Sequence, residues 1–447
     1  MARILCEILL QKKVPRTLER RVPLRNQEYF RGKLITMVGL ARSGLACANL
    51  FYELGAQVSV TDAKNAPLTR RNARQLKSKK IKLELGRHTP DFIKRRDLVV
   101  ISPGVSDTAL PVVWARKFGI PIISEIEAGW ILCPATVIAV TGSSGKTTVT
   151  TLIGLVLKAA KKRLFVCGNI GNPFTGEIKK MRPSDFVVLE ISSFQLEKIQ
   201  TFKPKIALIT NVSNNHLDRY PGMKEYIQAK KRIFLNQDKS DYLVLNAEDK
   251  ELRKMSRETK ARVVFFKNEK GLNPNQSAVL AVCSILGIAK KTCLKVFKNF
   301  KGLKHRMEEV ANIGGVRFIN DSKATTVESA IWALKNIPSP VILIAGGKDK
   351  GVDYRALLAT AQRKVKETIL IGDAKKKIKS AFKGILSVSE SATLEGAVRQ
   401  AFSKARPGDC VLLSPMCSSF DMFSDYEHRG RVFKKAVKDL EQGIGTS

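Results

Sequence analysis

Continuous apolar runs recur between residues 33 and 415, each closed by a polar or glycine residue and followed by a stretch of helical character. The first is KLITMV (33–38). It opens into Gly39-Leu-Ala-Arg-Ser-Gly44, continues as LACANLFYELG, a predicted helix ending at Gly55, and returns as AQVSVTD, a second run ending in Asp62. Strand, glycine turn, helix and strand in that order form a βαβ unit with an acid at the end of its second strand. DLVVISPG (97–104) and GIPIIS (119–124) extend the pattern towards Pro134. A second series starts at ATVIAV (135–140), passes through the helical VTTLIGLVLKAA, and continues with FVVLEIS (186–192), KIALITNV (205–212), DYLVLN (241–246) and ARVVFF (261–266). A third holds VRFIND (316–321), VILIAGG (341–347), ETILIGD (367–373) and CVLLSP (410–415). Strands that read as near-continuous apolar runs and alternate with helices predict mostly parallel sheets covered by helices.

The three series predict an α/β chain of three domains. A Rossmann-like N-terminal domain is expected over 28–134, and a central P-loop ATPase-like domain with a mostly parallel sheet over 135–302. A Rossmann-like, doubly wound C-terminal domain is expected over 303–447. Residues 1–27 are basic, lack periodicity and read as an extension outside these domains. Its apolar patch, Ile4–Leu10, is short and broken by Glu7, a poor match to a signal peptide. No apolar run approaches the length of a bilayer-spanning helix, so a cytoplasmic chain without a membrane span is expected. The eight cysteines form no C-x-x-C pair, which fits reduced thiols better than a disulfide or zinc framework.

Charge complicates the picture: 78 Lys and Arg stand against 40 Asp and Glu, a net +38. Such a balance is one footprint of nucleic-acid binding. Here the basic residues are spread along the chain and not interleaved with aromatics, which favours a solvated surface; a positive field would also attract small polyanionic substrates. A monomer with no nucleic-acid partner is expected.

Candidate chemistry centres on TGSSGKTT (141–148). The common phosphate loop carries glycine five places before its Gly-Lys pair; here that place is Val140, and the glycine is Gly142. A strand running through small residues into Gly-Lys-Thr at a helix start is still the context of a phosphate cradle, because the helix N-terminus and its free N–H groups attract anions. Gly142, Ser143, Ser144, Gly145, Lys146, Thr147 and Thr148 are therefore expected to bind ATP. Lys146 would reach the β- and γ-phosphates and Thr147 would ligate Mg²⁺. Glu190 closes the next strand, where such sites place a Mg²⁺ partner or water holder. His216 follows the strand after it and offers an imidazole ligand. Lys230 lies on a predicted helix in QAKKRIF. Taken singly, each of the last three also suits an ordinary surface position.

Together, these strings resemble the Mur ligases, the ATP-dependent amide-forming enzymes of peptidoglycan precursor synthesis. TGSSGKTT, GNIG (168–171), LEISSFQLE (189–197), NVSNNHLDRY (211–220) and QAKKRIF (228–234) are similar to that family's central domain, whose loop has this shortened form. VGLARSG (38–44), GLKHRMEEV (302–310), INDSKATT (319–326), AGGKDKG (345–351) and LSPMCSSFDMFSDYEHRG (413–430) resemble its D-glutamate-adding branch. The likeness runs from about residue 28 to about residue 440.

The resemblance implies that the carboxylate of UDP-N-acetylmuramoyl-L-alanine attacks the γ-phosphate of ATP, and that the amino group of D-glutamate then displaces phosphate from the acyl phosphate. It implies catalytic roles for Lys146, Glu190, His216 and Lys230. Two Mg²⁺ ions would be held by Thr147, Glu190, His216 and, once carbamylated, Lys230. Arg42, Ser43, Asp62, Gly104 and Asn169 would bind the UDP substrate. Arg306, Asp321 and Lys323 would face ATP. Thr325, Lys350, Ser419 and Phe420 would hold D-glutamate, with Lys350 pairing a carboxylate. Two positions depart from the pattern: Asn215 stands where an acid often precedes the histidine, and Tyr426 where phenylalanine is common. The alternatives are a sister or folylpolyglutamate-synthase-like ligase with another amino acid and, from a different class, a basic P-loop ATPase that binds nucleic acid. The last domain lacks the D-N-P-R motif expected of a diaminopimelate-adding sister.

Overall fold

The computed structural model describes residues 26–213 and 220–444, which form two compact units, one ending at Phe300 and the other starting at Lys301. Residues 1–25 of the expected extension lie outside the described residues. Within the first unit, Asn26 donates to the Ile131 carbonyl at 2.8 Å and Phe30 is fully buried, so the fold already includes residues 26–30.

The first unit holds two parallel sheets. One comprises Leu34–Val38 (β1), Gln57–Asp62 (β2), Lys82–Leu85 (β3), Leu98–Ile101 (β4) and Ile122–Ser124 (β5), in the order β3-β2-β1-β4-β5. The other comprises Thr136–Thr141 (β6), Leu164–Gly168 (β7), Phe186–Glu190 (β8), Ile206–Ile209 (β9), Tyr242–Asn246 (β10) and Arg262–Phe266 (β11). Its order is β11-β10-β9-β6-β8-β7. One hydrophobic core runs between the two sheets and joins Ile35 and Val58 to Val137, Val187 and Phe174. The far face of the second sheet is covered by the helices Lys146–Ala159, Pro274–Ile285 and Lys290–Asn299.

Two buried carboxylates fasten the sheets across that core. Glu125 Oε1 accepts from the Thr175 amide and hydroxyl, both at 2.7 Å. Glu127 accepts from the amides of Gln200, Thr201 and Phe202 and from the Thr201 hydroxyl, between 2.6 and 3.0 Å. A buried carboxylate is tolerated only when its lone pairs are so satisfied. Burial still pushes both groups above the usual carboxylate range, against the pull of those donors.

The second unit holds Glu308–Ile313 (β12), Val316–Asn320 (β13), Val341–Gly346 (β14), Val365–Ile371 (β15), Val388–Glu390 (β16) and Cys410–Leu413 (β17), ordered β12-β13-β17-β14-β15-β16. β12 runs antiparallel to β13 and the other pairs are parallel. Apolar clusters cover both faces, as the doubly wound reading requires. Four strands were not apparent in the sequence: β3, β7, β12 and β16. Among the described residues, no helix is long and apolar enough to cross a membrane.

Candidate active site

Register places Val140 beside Glu190 and Thr141 beside Ile209, so the loop after β6 emerges between the C-terminal ends of β8 and β9. Gly142 has φ 149°, and a Cβ there would lie 1.9 Å from Thr210 Oγ1. Close approach to the neighbouring strand therefore requires glycine at this point. Gly145, at φ 78°, is the left-handed residue that starts the helix Lys146–Ala159. Between them, the Ser143 amide donates to the Asn211 carbonyl at 3.0 Å and the Ser144 amide to Asn211 Oδ1 at 2.9 Å. Thr210 Oγ1 donates to the Ser144 carbonyl at 2.6 Å. The loop is thus moulded on the end of β9. Lys146 Nζ donates to the Gly142 and Ser143 carbonyls at 2.7 and 3.2 Å, which keeps the ammonium over the loop. Thr147 and Thr148 lie half-buried in the helix's first turn.

Glu190 is 1% exposed at the end of β8. Its Oε1 accepts from Asn169 Nδ2 at 2.7 Å, and the Asn169 amide donates to the Glu190 carbonyl at 2.9 Å. Its Oε2 is buried without a hydrogen-bond partner among the described residues. Lys230 is 1% exposed, with Nζ 4.4 Å from the centre of the Tyr226 ring. Burial first, and then the charge of Lys146, push its amine well below the usual lysine range. The Tyr226 hydroxyl lies 3.1 Å from Ser143 Oγ, tying the Lys230 helix, Met223–Lys231, to the loop. No local signal in the sequence pointed to Tyr226. His216 and Asn215 lie outside the described residues. Gly142 to Thr148, Asn169, Glu190 and Lys230 are thus brought together within the first unit.

On the first sheet, Arg42 and Ser43 start the helix after β1, and Arg42 donates to the Gly171 carbonyl in the Asn169 loop. Asp62 accepts from the Leu40 amide at 2.7 Å and the Lys64 amide at 2.8 Å, which shapes the turn at Gly39-Leu40. A Cβ on Gly104 would meet nothing within 4 Å, so the fold itself does not demand glycine there.

In the second unit, Arg306 stands between His305 (φ 62°) and Met307 (φ 44°), a backbone arrangement that non-glycine residues seldom adopt. Lys323 Nζ lies 5.1 Å from the Tyr426 ring centre. Lys350 Nζ donates to the Thr325 carbonyl at 2.9 Å, which joins two of the residues expected at D-glutamate. Ser419 is buried and its neighbour Phe420 is 69% exposed. Arg429, quoted only as part of a longer string, is fully buried and donates to Ser322 Oγ at 3.0 Å and to the Ser322 and Cys417 carbonyls at 2.8 and 3.2 Å. It clamps the INDSKATT loop to the LSPMCSSFD loop; its charge alone gave no sign of burial.

Asp321 is 6% exposed and accepts from the Met307 amide and the Ser414 hydroxyl, each at 3.3 Å. Burial raises its pKa to about 7. The folded state therefore holds this proton more tightly than the unfolded chain. Stability from this group is full below pH ~4 and is lost as pH rises through about 7, a loss of up to ~4 kcal/mol. Urea unfolding should show Asp321→Asn more stable than the parent at pH 8 and nearly equal to it at pH 4. An equal difference at both pH values would contradict the burial argument.

Three family models match the chain. They are the Mur ligase MurD-like N-terminal domain over 33–124, the Mur ligase middle domain over 140–285, and the Mur ligase glutamate ligase domain over 305–417. The UDP-N-acetylmuramoylalanine--D-glutamate ligase of Koribacter versatilis is 38% identical, with 92% of this chain and 98% of the relative aligned. That of Geotalea uraniireducens is 40% identical, over 92% of this chain and 99% of the relative. The chain belongs to the Mur ligase family. Solved Mur ligases share the fold: the UDP-N-acetylmuramate-alanine ligase of Thermotoga maritima superposes with TM-score 0.57 at 19% identity, covering 91% of this chain and 100% of that one. MurF of Acinetobacter baumannii gives 0.57 at 14%, covering 94% and 98%.

Proposed function

We propose that this Mur ligase uses ATP to add D-glutamate to UDP-N-acetylmuramoyl-L-alanine in peptidoglycan precursor synthesis, acting as a cytoplasmic monomer. The observation that carries the chemistry is the junction of loop and Glu190: a phosphate cradle whose lysine is held over the loop, beside a buried carboxylate with one oxygen unpartnered among the described residues. An orphaned buried carboxylate oxygen costs free energy unless a cation or donor meets it. Glu190 Oε2 and the Thr147 hydroxyl fit one Mg²⁺, which usually takes one or two protein oxygens and completes its shell with phosphate and water. A second Mg²⁺ would rest on His216 and a carbamylated Lys230. Bound there, the metal supplies charge neutralisation between two anions.

The residues do the rest. Loop amides and the helix N-terminus hold the β- and γ-phosphates, and Lys146 turns from the loop carbonyls to the γ-phosphate. Asn169, fixed by Glu190, orients the nucleotide sugar so that its carboxylate oxygen attacks phosphorus and ADP leaves. The amine of D-glutamate, held by Thr325, Lys350, Ser419 and Phe420, then attacks the acyl carbon, and inorganic phosphate departs with the C–O bond. Arg42, Ser43, Asp62 and Gly104 take the UDP end; Arg306, Asp321 and Lys323 take the nucleotide of ATP.

Phosphate release with ATP, Mg²⁺ and UDP-N-acetylmuramoyl-L-alanine should depend on D-glutamate across a panel of amino acids and remain unchanged by added nucleic acid. Equal or faster release with another amino acid would overturn the substrate assignment.

A further inference from the structure

Two loops of the second unit are expected to hold D-glutamate, and a buried tyrosine joins them. One leaves β14 and runs through Gly347, Lys348, Asp349 and Lys350. The other leaves β17 and carries Cys417, Ser419 and Phe420. Their backbones meet where the Lys348 amide donates to the Ser418 carbonyl at 2.9 Å. Past that point the first loop is exposed at Lys350 and Gly351, so the sheet does not fix the position of Lys350.

Tyr354 supplies the fixing point. It is 1% exposed and begins the short helix Tyr354–Leu357. Its hydroxyl lies 2.8 Å from Asp349 Oδ1 and 3.1 Å from Cys417 Sγ. A carboxylate only accepts, so the single phenolic proton goes to Asp349 and the oxygen accepts from the Cys417 S–H. Burial raises the Cys417 pKa, which keeps that proton on sulfur at pH 7. The same Asp349 Oδ1 accepts from the Gly351 amide at 3.1 Å. One oxygen thus holds the residues on both sides of Lys350 and closes a turn with Lys350 at its tip. Lys377 Nζ, at 3.1 Å, takes the other carboxylate oxygen. On the far side, Arg429 holds the Cys417 carbonyl. A chain of bonds therefore runs from Arg429 through Cys417, Tyr354 and Asp349 to the turn that carries Lys350. A buried hydroxyl costs free energy unless its proton and lone pairs are used; here they are used on two different loops.

We propose that Tyr354 is a positioning residue for the amino-acid substrate, its hydroxyl fixing the Lys350 turn relative to the Ser419 loop. The proposal rests on the D-glutamate reading above. Tyr354 does not touch the substrate; it acts through Lys350 on one side and Ser419 on the other. Groups fixed in advance lose less freedom on binding, so a loosened turn weakens the hold on the amino acid and leaves the phosphoryl step alone.

Initial rates of phosphate release by the full chain, with each of the three substrates varied in turn, test this. Tyr354→Phe should raise KM for D-glutamate about fivefold and keep kcat and the KM values for ATP and the nucleotide sugar within about twofold. Asp349→Ala, which removes the acceptor, should give the same shift, and the double variant should be no worse than either single one. Cys417→Ser, which keeps a donor, should stay near the parent. A parent that depends on D-glutamate, beside a Tyr354→Phe enzyme with unchanged KM for it, overturns this proposal alone. A parallel loss towards all three substrates also overturns it, as the mark of a merely structural tyrosine, and so do additive effects of the two single variants. A parent whose phosphate release ignores D-glutamate overturns the D-glutamate reading and this proposal with it.

Discussion

Glu190→Gln should lower kcat for D-glutamate-dependent phosphate release by about 10³-fold while leaving the thermal midpoint unchanged or slightly raised. The substitution separates two functions of one side chain. Glutamine keeps an oxygen that accepts from Asn169 Nδ2, the bond now made at 2.7 Å, and keeps the side-chain volume. It replaces the second oxygen, which has no partner among the described residues, by an amide that repels a cation. If that oxygen holds Mg²⁺, activity collapses although Asn169 stays in place. Asn169→Ala should show the complementary pattern, with a raised KM for the nucleotide sugar and a smaller loss in kcat. Because the two residues touch, the double variant should cost less than the product of the single effects. A Glu190→Gln enzyme within tenfold of the parent would remove Glu190 from the metal site.

Most strands readable from sequence differ in one physical respect from those that escaped it; the edge strands β5 and β11 are the exceptions, read from the apolar runs GIPIIS and ARVVFF. β1, β4, β6, β8, β9, β13, β14 and β17 are central or nearly so, buried on both faces, and written as unbroken apolar runs. β3, β7, β12 and β16 each form one edge of a sheet, and Lys82 and Leu83 in β3 or Glu309 in β12 face solvent. Half of an edge strand's burial comes from a neighbour that no local pattern announces. The antiparallel β12 also falls outside the strand–helix alternation that revealed the rest.

The site divides in the same way. The loop, Glu190 and Asn169 were legible because parallel strands end at one edge, so residues just past those ends converge whatever lies between. Arg429 and Glu127 were not, since their roles depend on burial and on partners distant in sequence. Glu127 makes its bonds to Gln200, Thr201 and Phe202, more than seventy residues away. A charged residue reads as surface until its partners are known.

Lys230→Met should abolish activity, by 10³-fold or more, and at the same time stabilise the protein at pH 7. The lysine is 1% exposed against the Tyr226 ring, with a second cation, Lys146, as its electrostatic neighbour. Its folded pKa lies well below that of the unfolded chain, so the folded state binds this proton less tightly, and stability rises with pH towards the unfolded value near 10.5. Methionine removes this cost. The gain in melting temperature should therefore be larger at pH 7 than at pH 10. Retaining a lysine at such a site calls for a function, and a neutral amine is the form that attacks CO₂: an N–C bond forms, a proton leaves, and an anion replaces a repelled cation beside Lys146. We expect a carbamate resonance from the parent in ¹³CO₂-equilibrated buffer, absent from Lys230→Met. An unmodified amine under those conditions, or a Lys230→Met enzyme with more than a tenth of the parent's activity, would sink the carbamate assignment.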